Sequence, residues 1–441
     1  MSTTPTSQPV LADLAAAAKP DRNRAVDAYR VLAMVAVAIG HWAAVAVTTD
    51  TNGDIVAGNA LGDDPSLSWL TWIFQVMPLF FVVGGFASAM SLDAHGRNGS
   101  GRPQDWIAGR LRRMVAPTAI LAGTWGVLLA GGLATGTQGL VGLGAVAAAI
   151  PLWFLANYTI DTAFAPYLLP RFRRRPIAVA GGLLTVFGIV ETLHFSGVPV
   201  IGHLNWVVGW LLFQVAGFAW RDGLLPTGRR LAAVAGLLWC AAVAAVTLGP
   251  WPVAMVHFPG LQHSPTHPPS VALVLFGAAY SATALVVAPS VSRWLADHGR
   301  AWAAVVAGNA VSMSVYLWHM TAMIGAGLLF WGMGWLPTAE VGDAAWWLQK
   351  APLMLVALTM LAAIVAMVAR HEQRALLAPR SQWRGGPGSM VLTAAGVSTA
   401  LKLWSTSSPV AVAVGMAALL VIWRVVLRPT VSSTPESKEQ S

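Results

Sequence analysis

Long apolar runs alternate with short segments rich in Gly, Pro and Arg along nearly the whole chain. A helix that crosses the apolar layer of a bilayer needs about 20 residues, and most of these runs reach that length. The pattern predicts about twelve transmembrane helices, at 29–48, 69–92, 114–134, 151–169, 177–195, 204–220, 231–249, 271–290, 303–331, 347–369, 390–405 and 408–427. The apolar run at 138–150 is shorter, which leaves an interfacial helix, a re-entrant segment or the outer part of the fourth helix as its interpretation.

Composition supports the same fold class. Of the 441 residues, 56% are hydrophobic and 10% are charged, whereas soluble domains carry about 25% charged residues. We therefore predict an all-α polytopic membrane protein. The net charge of +9 would suit a nucleic-acid partner, but the arginines lie between apolar runs and form no single patch, so we expect none. The single cysteine, Cys240, excludes an intramolecular disulfide and a thiolate metal site.

The distribution of positive charge predicts the orientation in the membrane. All but two of the 27 Lys and Arg residues fall on one side of the predicted spans, and the exceptions are Lys350 and Lys402. Because cytoplasmic loops attract Lys and Arg, we expect both termini in the cytoplasm and the protein in the plasma membrane. Residues 1–23 are predicted to be a flexible cytoplasmic tail and 429–441 a disordered tail.

The first predicted helix carries ionisable residues that apolar helices usually lack. Asp27 and Arg30 are three residues apart and share a face, and His41 follows Arg30 by eleven residues, close to three turns. At ~1.5 Å per residue, the imidazole lies about 16 Å from Arg30 along the helix, near mid-bilayer. Ionisable groups at that depth are costly, so each is a candidate for function. The alternatives are an interfacial anchor pair for Asp27 and Arg30 and an interior hydrogen-bonded histidine for His41.

The D-x-x-R-x10-H pattern of this helix resembles the first helix of the acyltransferase 3 family, whose members are membrane-bound O-acyltransferases that modify cell-envelope glycans and related acceptors. Further similar stretches follow in the family's order: 78–86 (PLFFVVGGF), 110–117 (RLRRMVAP), 151–157 (PLWFLAN) and 312–319 (SMSVYLWH). The resemblance implies a ten-helix core at 24–369, followed at 370–428 by a cytoplasmic loop and an added helical pair. The chain departs from the family pattern at Val83-Gly84, where Leu-Ser is usual, and at Pro151, where a histidine often stands.

The resemblance implies transfer of an acetyl or other short acyl group from cytoplasmic acyl-CoA, with acetyl-CoA expected, to a hydroxyl of a glycan or lipid-linked acceptor. His41 would act as general base or would carry the acyl group transiently, with Arg30 and Asp27 as catalytic partners. Guanidinium groups suit phosphates, so the donor would be bound by four arginines: Arg30, Arg110, Arg112 and Arg113. The alternative for these arginines is positive-inside anchoring.

Four further residues in or beside the spans are candidates for binding the acceptor or supporting the site: His319, Tyr316, Trp153 and Asp161. Interhelical hydrogen bonding is the alternative function for the polar groups. His263 and His267 have a spacing that suits a metal on a helix, but the prolines around them oppose a helix, so we predict no metal site.

Two other functions are compatible with this sequence. About twelve helices with both ends in the cytoplasm is also a common plan of secondary transporters, so a transporter or exporter is the alternative. A non-catalytic scaffold with the same fold is the third possibility. Binding of acyl-CoA distinguishes the enzyme from the transporter.

Overall fold

The structure is a computed structural model that describes residues 22–50, 52–97, 101–261, 263–377, 383, 385–406 and 408–427. The tails predicted at 1–23 and 429–441 lie outside these residues, apart from Arg22 and Asn23.

Helices dominate the described residues. The first part of the chain forms α1 (Arg24–Ala44), β1 (Val45–Thr49), β2 (Ile55–Asn59), α2 (Ala60–Asp63), α3 (Thr71–Phe74), α4 (Met77–Arg97), α5 (Pro103–Thr135), α6 (Gln138–Ala149), α7 (Leu152–Arg174) and α8 (Pro176–Phe195). The second part forms α9 (Asn205–Arg221), α10 (Gly228–Leu248), α11 (Val271–Asp297), α12 (Gly299–Gly332), α13 (Ala344–Leu377), α14 (Pro387–Trp404) and α15 (Pro409–Val421). The prediction of an all-α polytopic membrane protein is confirmed.

Among the described residues, 10 helices are long and apolar enough to cross a membrane, or 11 if the bent pair α6–α7 is counted as one span. The two members of this pair meet at an angle of 41°, so the short apolar run at 138–150 is a helix that joins the fourth predicted span through a bend. The weakest predicted span, 390–405, forms as α14 (Pro387–Trp404) but is not among the 10.

The first predicted span ends earlier than its apolar run does. Asn23 caps the start of α1 through its side chain, and the helix ends at Ala44 instead of residue 48. The β-branched sequence of Val45–Thr49 (VAVTT) favours an extended chain, and it pairs antiparallel with Ile55–Asn59. His41 consequently lies in the last turn of α1 and not near the middle of the span, as the predicted boundaries had placed it.

The helical pair at the end of the chain packs on the body of the bundle, since α14 contacts α7 and α15 contacts α5. We name the two ends of the bundle by the residues of α1. The histidine end is the end at which α1 finishes, beside His41, and the arginine end is the end at which α1 begins, near Arg30.

Candidate active site

Two histidines from distant parts of the chain meet at the histidine end. His41 Nδ1 in α1 lies 2.9 Å from His319 Nε2 in α12, and the two ring planes are parallel to within 5°. The indole N–H of Trp42 donates to the backbone carbonyl of His319 at 2.9 Å. His319 is fully buried, whereas His41 stays partly accessible. The side chain of His41 therefore points into the bundle, next to the other conspicuous histidine of the sequence.

The hydrogen bonds of His319 determine the tautomers of both rings. His319 Nδ1 lies 2.8 Å from the backbone carbonyl oxygen of Tyr316, and a carbonyl only accepts, so Nδ1 must carry the proton. In the neutral ring, Nε2 is then an acceptor, and it takes the hydrogen bond from the Nδ1–H of His41. The lone pair of neutral His41 is consequently on Nε2, which has no hydrogen-bond partner among the described residues.

Tyr316 connects this pair to the bend between α6 and α7. Its hydroxyl donates to the backbone carbonyl of Pro151, and its ring centroid lies 6.5 Å from that of His319. Proline stands where the family often has a histidine, and here its carbonyl is the acceptor that holds Tyr316. The buried tyrosine thus fixes the height of α12 relative to the start of α7.

Lys350 of α13 completes the histidine end, and the sequence analysis did not select it as a site residue. Its ammonium donates to the carbonyl oxygens of Ala43 at 2.7 Å and Val45 at 2.6 Å, and it lies 4.0 Å from the ring centroid of Trp346. The last carbonyls of a helix have no partner within the helix, and a cation compensates for them well. Lys350 therefore caps the helix that carries His41. The sequence did contain one signal for Lys350: it is one of only two Lys or Arg residues on the side of the predicted spans that is poor in positive charge.

At the arginine end, Asp27 and Arg30 do not pair with each other. The Asp27 carboxylate forms an ion pair with Arg22, and its backbone carbonyl accepts a hydrogen bond of 3.0 Å from the side chain of Asn309 on α12. Arg30 is half-buried and has no carboxylate partner among the described residues. Asp27 thus anchors α1 to its neighbours, and the charge of Arg30 is left uncompensated by protein carboxylates there.

The four predicted donor-binding arginines separate into two groups. Arg110 interacts electrostatically with both Arg30 and Arg113, lies 5.0 Å from the ring centroid of Trp106, and has an Nε without a partner in the described part of the chain. Arg113 is exposed, and its Nε donates to Gly109 of its own helix. By contrast, Arg112 donates to the carbonyl of Leu427 at 2.8 Å. The structure brings Arg30, Arg110 and Arg113 together and directs the Nε of Arg112 to the turn at Ile422–Leu427.

Gly84 is the second departure from the family pattern, and it makes room for an aromatic ring beside Arg110. A Cβ at this position would lie 2.8 Å from a ring carbon of Tyr158, and the charge of Arg110 interacts with Tyr158. A serine here would displace that tyrosine. The glycine therefore lets α7 place Tyr158 close to the arginine cluster.

The other two predicted supporting residues, Asp161 and Trp153, show no hydrogen bond or ring contact with the histidine pair. Asp161 is buried in α7, and neither of its carboxylate oxygens has a hydrogen-bond partner within the described residues, so the structure shows no arginine paired with it. Trp153 belongs to an aromatic group at the histidine end, with its ring centroid 5.9 Å from that of Trp206.

A cavity of about 60 Å³ opens at the loop between α10 and α11, and none of the predicted site residues lines it. Its lining includes Glu191, His263 and His267. Within the described residues, no group of three or more His, Cys, Asp or Glu side chains is placed to hold a metal ion.

Comparison with known proteins yields one match. Residues 23–371 fit the model of a family described as an acyltransferase domain. No curated protein and no solved structure matches the chain.

Proposed function

The chain belongs to the acyltransferase 3 family and is a multi-pass membrane protein, and on this premise we propose that it transfers an acetyl or other short acyl group from cytoplasmic acyl-CoA to a hydroxyl of a glycan or lipid-linked acceptor. The observation that supports this proposal most directly is the hydrogen-bonded pair His41–His319, because it leaves a basic nitrogen, Nε2 of His41, available at a partly accessible position.

The proposed reaction needs one base that takes up a proton and returns it. Nε2 of His41 removes the proton of the acceptor hydroxyl while the hydroxyl oxygen attacks the thioester carbonyl carbon. The tetrahedral intermediate then collapses, the carbon–sulfur bond breaks, and the imidazolium returns the proton to the departing CoA sulfur. His319 accepts the Nδ1–H of His41 throughout, which stabilises the imidazolium and holds the ring in place. Direct transfer and an acyl-imidazole intermediate are both compatible with this arrangement.

Arg30, Arg110 and Arg113 supply the charge for the donor in this proposal. CoA carries phosphates, and guanidinium groups bind phosphate through paired, charge-assisted hydrogen bonds. Arg110 interacts electrostatically with both Arg30 and Arg113. Among the described residues, Arg30 has no carboxylate partner and the Nε of Arg110 has no hydrogen-bond partner, which favours binding of a polyanion. Along α1, Arg30 and His41 are about 16 Å apart, a distance that the extended pantetheine arm of CoA spans.

The test is transfer of label from [¹⁴C]acetyl-CoA to envelope glycans in membranes of expressing cells. We expect His41→Ala to lower the rate by about 10²–10⁴-fold, the usual contribution of a general base, while the amount of folded, inserted protein stays the same. His298→Ala is the matched control, because His298 is exposed and its ring hydrogen-bonds, among the described residues, only to the carbonyl of Trp294 in the adjacent helix. Near-normal transfer by the His41→Ala variant would refute the proposal. Absence of acetyl-CoA binding to the unmodified protein would favour the transporter.

A further inference from the structure

The two lysines on the side of the chain that is poor in positive charge differ in their surroundings. Lys350 donates to two backbone carbonyls, as described above. The ammonium group of Lys402, on α14, has no hydrogen bond or ion pair with any residue that the structure describes, and its Nζ lies 3.3 Å from the ring centroid of Trp206. An ammonium group has three N–H donors and a full charge, and a half-buried one without an anion is costly. Lys402 is thus placed to receive an anionic ligand.

The groups around Lys402 are aromatic rings and imidazoles. The ring centroid of His267 lies 4.5 Å from that of Trp206, edge to face, and 4.6 Å from that of His257, with the two planes tilted by 30°. The centroid of Trp153 lies 5.9 Å from that of Trp206. Burial, with further contributions from the charges of His257, Lys402 and His203, lowers the pKa of His267 to about 3. His267 is therefore a neutral donor and acceptor at physiological pH, and Lys402 is the cation of the group.

No carboxylate of the described residues neutralises this cation. Glu191 lines the adjoining cavity together with His267. Its two oxygens accept instead from the backbone N–H of Val271 at 3.0 Å and from the side chain of Asn205 at 3.3 Å. Since the described residues supply no acidic group that matches Lys402, an anionic group of another molecule suits this position.

This group of residues adjoins the histidine pair. Trp153 is followed along α7 by Phe154, whose ring lies 5.6 Å from that of Tyr316, and Tyr316 lies 6.5 Å from His319. The hydroxyl of Tyr316 also binds Pro151, two residues before Trp153. A molecule bound at Lys402 is therefore at the same end of the bundle as His41, and opposite to the arginines.

We propose that Lys402, Trp206, Trp153, His257 and His267 form a binding site for an acidic sugar of the acceptor, that is, a pyranose that bears a carboxylate or a phosphate. The role of this site in acyl transfer rests on the proposed function, whereas the inference that it binds an acidic sugar does not. Lys402 binds the anionic group, the neutral imidazoles bind ring hydroxyls, and the indoles contact the apolar face of the ring. The added helical pair, which lies beyond the family match at 23–371, thereby contributes the specificity-determining cation.

Binding of soluble sugars to the purified full-length chain in detergent, without acyl-CoA, tests this site. The probes are methyl β-D-glucuronide, α-D-glucose 1-phosphate, the neutral methyl β-D-glucoside and inorganic phosphate, each titrated by saturation-transfer NMR. We expect the two acidic sugars to bind at least about tenfold more tightly than the glucoside, the difference expected for one charge-assisted hydrogen bond. Lys402→Met should abolish this difference, and Lys402→Arg should restore most of it.

Trp206→Ala should weaken binding of all three sugars, whereas Trp335→Ala, which alters an exposed tryptophan outside the group, should not. Unfolding midpoints of all variants verify that they are folded. Equal affinity for acidic and neutral sugars in the unmodified protein, or an unchanged preference in Lys402→Met, overturns the proposal. Inorganic phosphate that binds as tightly as glucose 1-phosphate shows an anion site without sugar recognition and also overturns it.

The same titration with His41→Ala separates this inference from the proposed function. His41→Ala should bind the acidic sugars as tightly as the unmodified protein does, because His41 is not part of the site. Absence of acidic-sugar binding together with His41-dependent acyl transfer would overturn the acceptor site alone. Acidic-sugar binding without any acyl transfer would overturn the proposed function alone.

Discussion

A hydrogen bond of 2.9 Å between two imidazoles determines which nitrogen of His41 can take a proton. Without His319, the proton of neutral His41 would be free to occupy either nitrogen, and the ring would be free to rotate. With His319 as acceptor, and with the Tyr316 carbonyl fixing the tautomer of His319 in turn, the basic lone pair is held in one direction. His319 is thus a positioning residue that acts through His41.

We expect His319→Leu to lower kcat by at least about tenfold, a part of the roughly 10²–10⁴-fold that a positioned general base contributes. KM for acetyl-CoA should stay unchanged because the arginines are at the opposite end. His319→Gln should retain more activity, since its amide oxygen can accept from His41 Nδ1–H. Steady-state kinetics of both variants at saturating acceptor measure this. A parallel loss of kcat and rise of KM, or equal activity of the two variants, would indicate a structural role only.

At the scale of single elements, close helix contacts depend on glycine where α4 crosses α9. A Cβ on Gly217 would lie 2.1 Å from the carbonyl oxygen of Val82, and a Cβ on Gly85 would lie 2.1 Å from the carbonyl oxygen of Gln214. Both obstacles are backbone atoms, which cannot rotate away as a side chain can. Small residues at such crossings let helices approach closely in membranes.

Gly217→Ala should therefore destabilise the protein by about 1–3 kcal/mol, the range for overpacking a well-packed core. The control is Gly236→Ala in α10, where a Cβ would meet no atom within 4 Å and alanine is the better helix former. Unfolding midpoints in detergent, followed by tryptophan fluorescence, compare the two. A drop in midpoint for Gly236→Ala that equals the drop for Gly217→Ala would contradict the close-contact explanation.

At the scale of the whole molecule, the candidate site has two ends. The arginine cluster lies near the start of α1 and the histidine pair near its end, and α12 runs beside α1 to carry His319. A donor bound at the arginine end, with its acyl arm extended to His41, would meet an acceptor bound at the histidine end. This arrangement suits transfer between molecules that reach the protein from opposite sides of a membrane.

The donor end is tested by equilibrium binding of acetyl-CoA to the purified protein. Arg30→Ala and Arg113→Ala should each raise the Kd by about tenfold or more, as for the loss of a hydrogen bond to a charged group. Arg293→Ala is the matched control, because Arg293 is exposed and bonded to Ser290 of its own helix. An unchanged Kd in both Arg30→Ala and Arg113→Ala, or an equal effect of Arg293→Ala, would contradict the proposed donor site.

The sequence by itself determined the membrane class, the places of the helices and the family, because the apolar layer of a bilayer requires long apolar runs and because the motifs are local. It also identified His41 and His319 as unusual residues, but not their contact, since the two are 278 positions apart and only the packing of α12 on α1 joins them.

Tertiary structure decided everything that depends on direction and on distant partners. It ended α1 at Ala44, where Lys350 from α13 caps its carbonyls. It turned Arg112 towards Leu427, although Arg112 lies in the same motif as Arg110 and Arg113. Spacing along a helix gives the face on which a side chain lies. The helix that packs against this face determines which group the side chain meets, and therefore where its proton sits and which charge it pairs with.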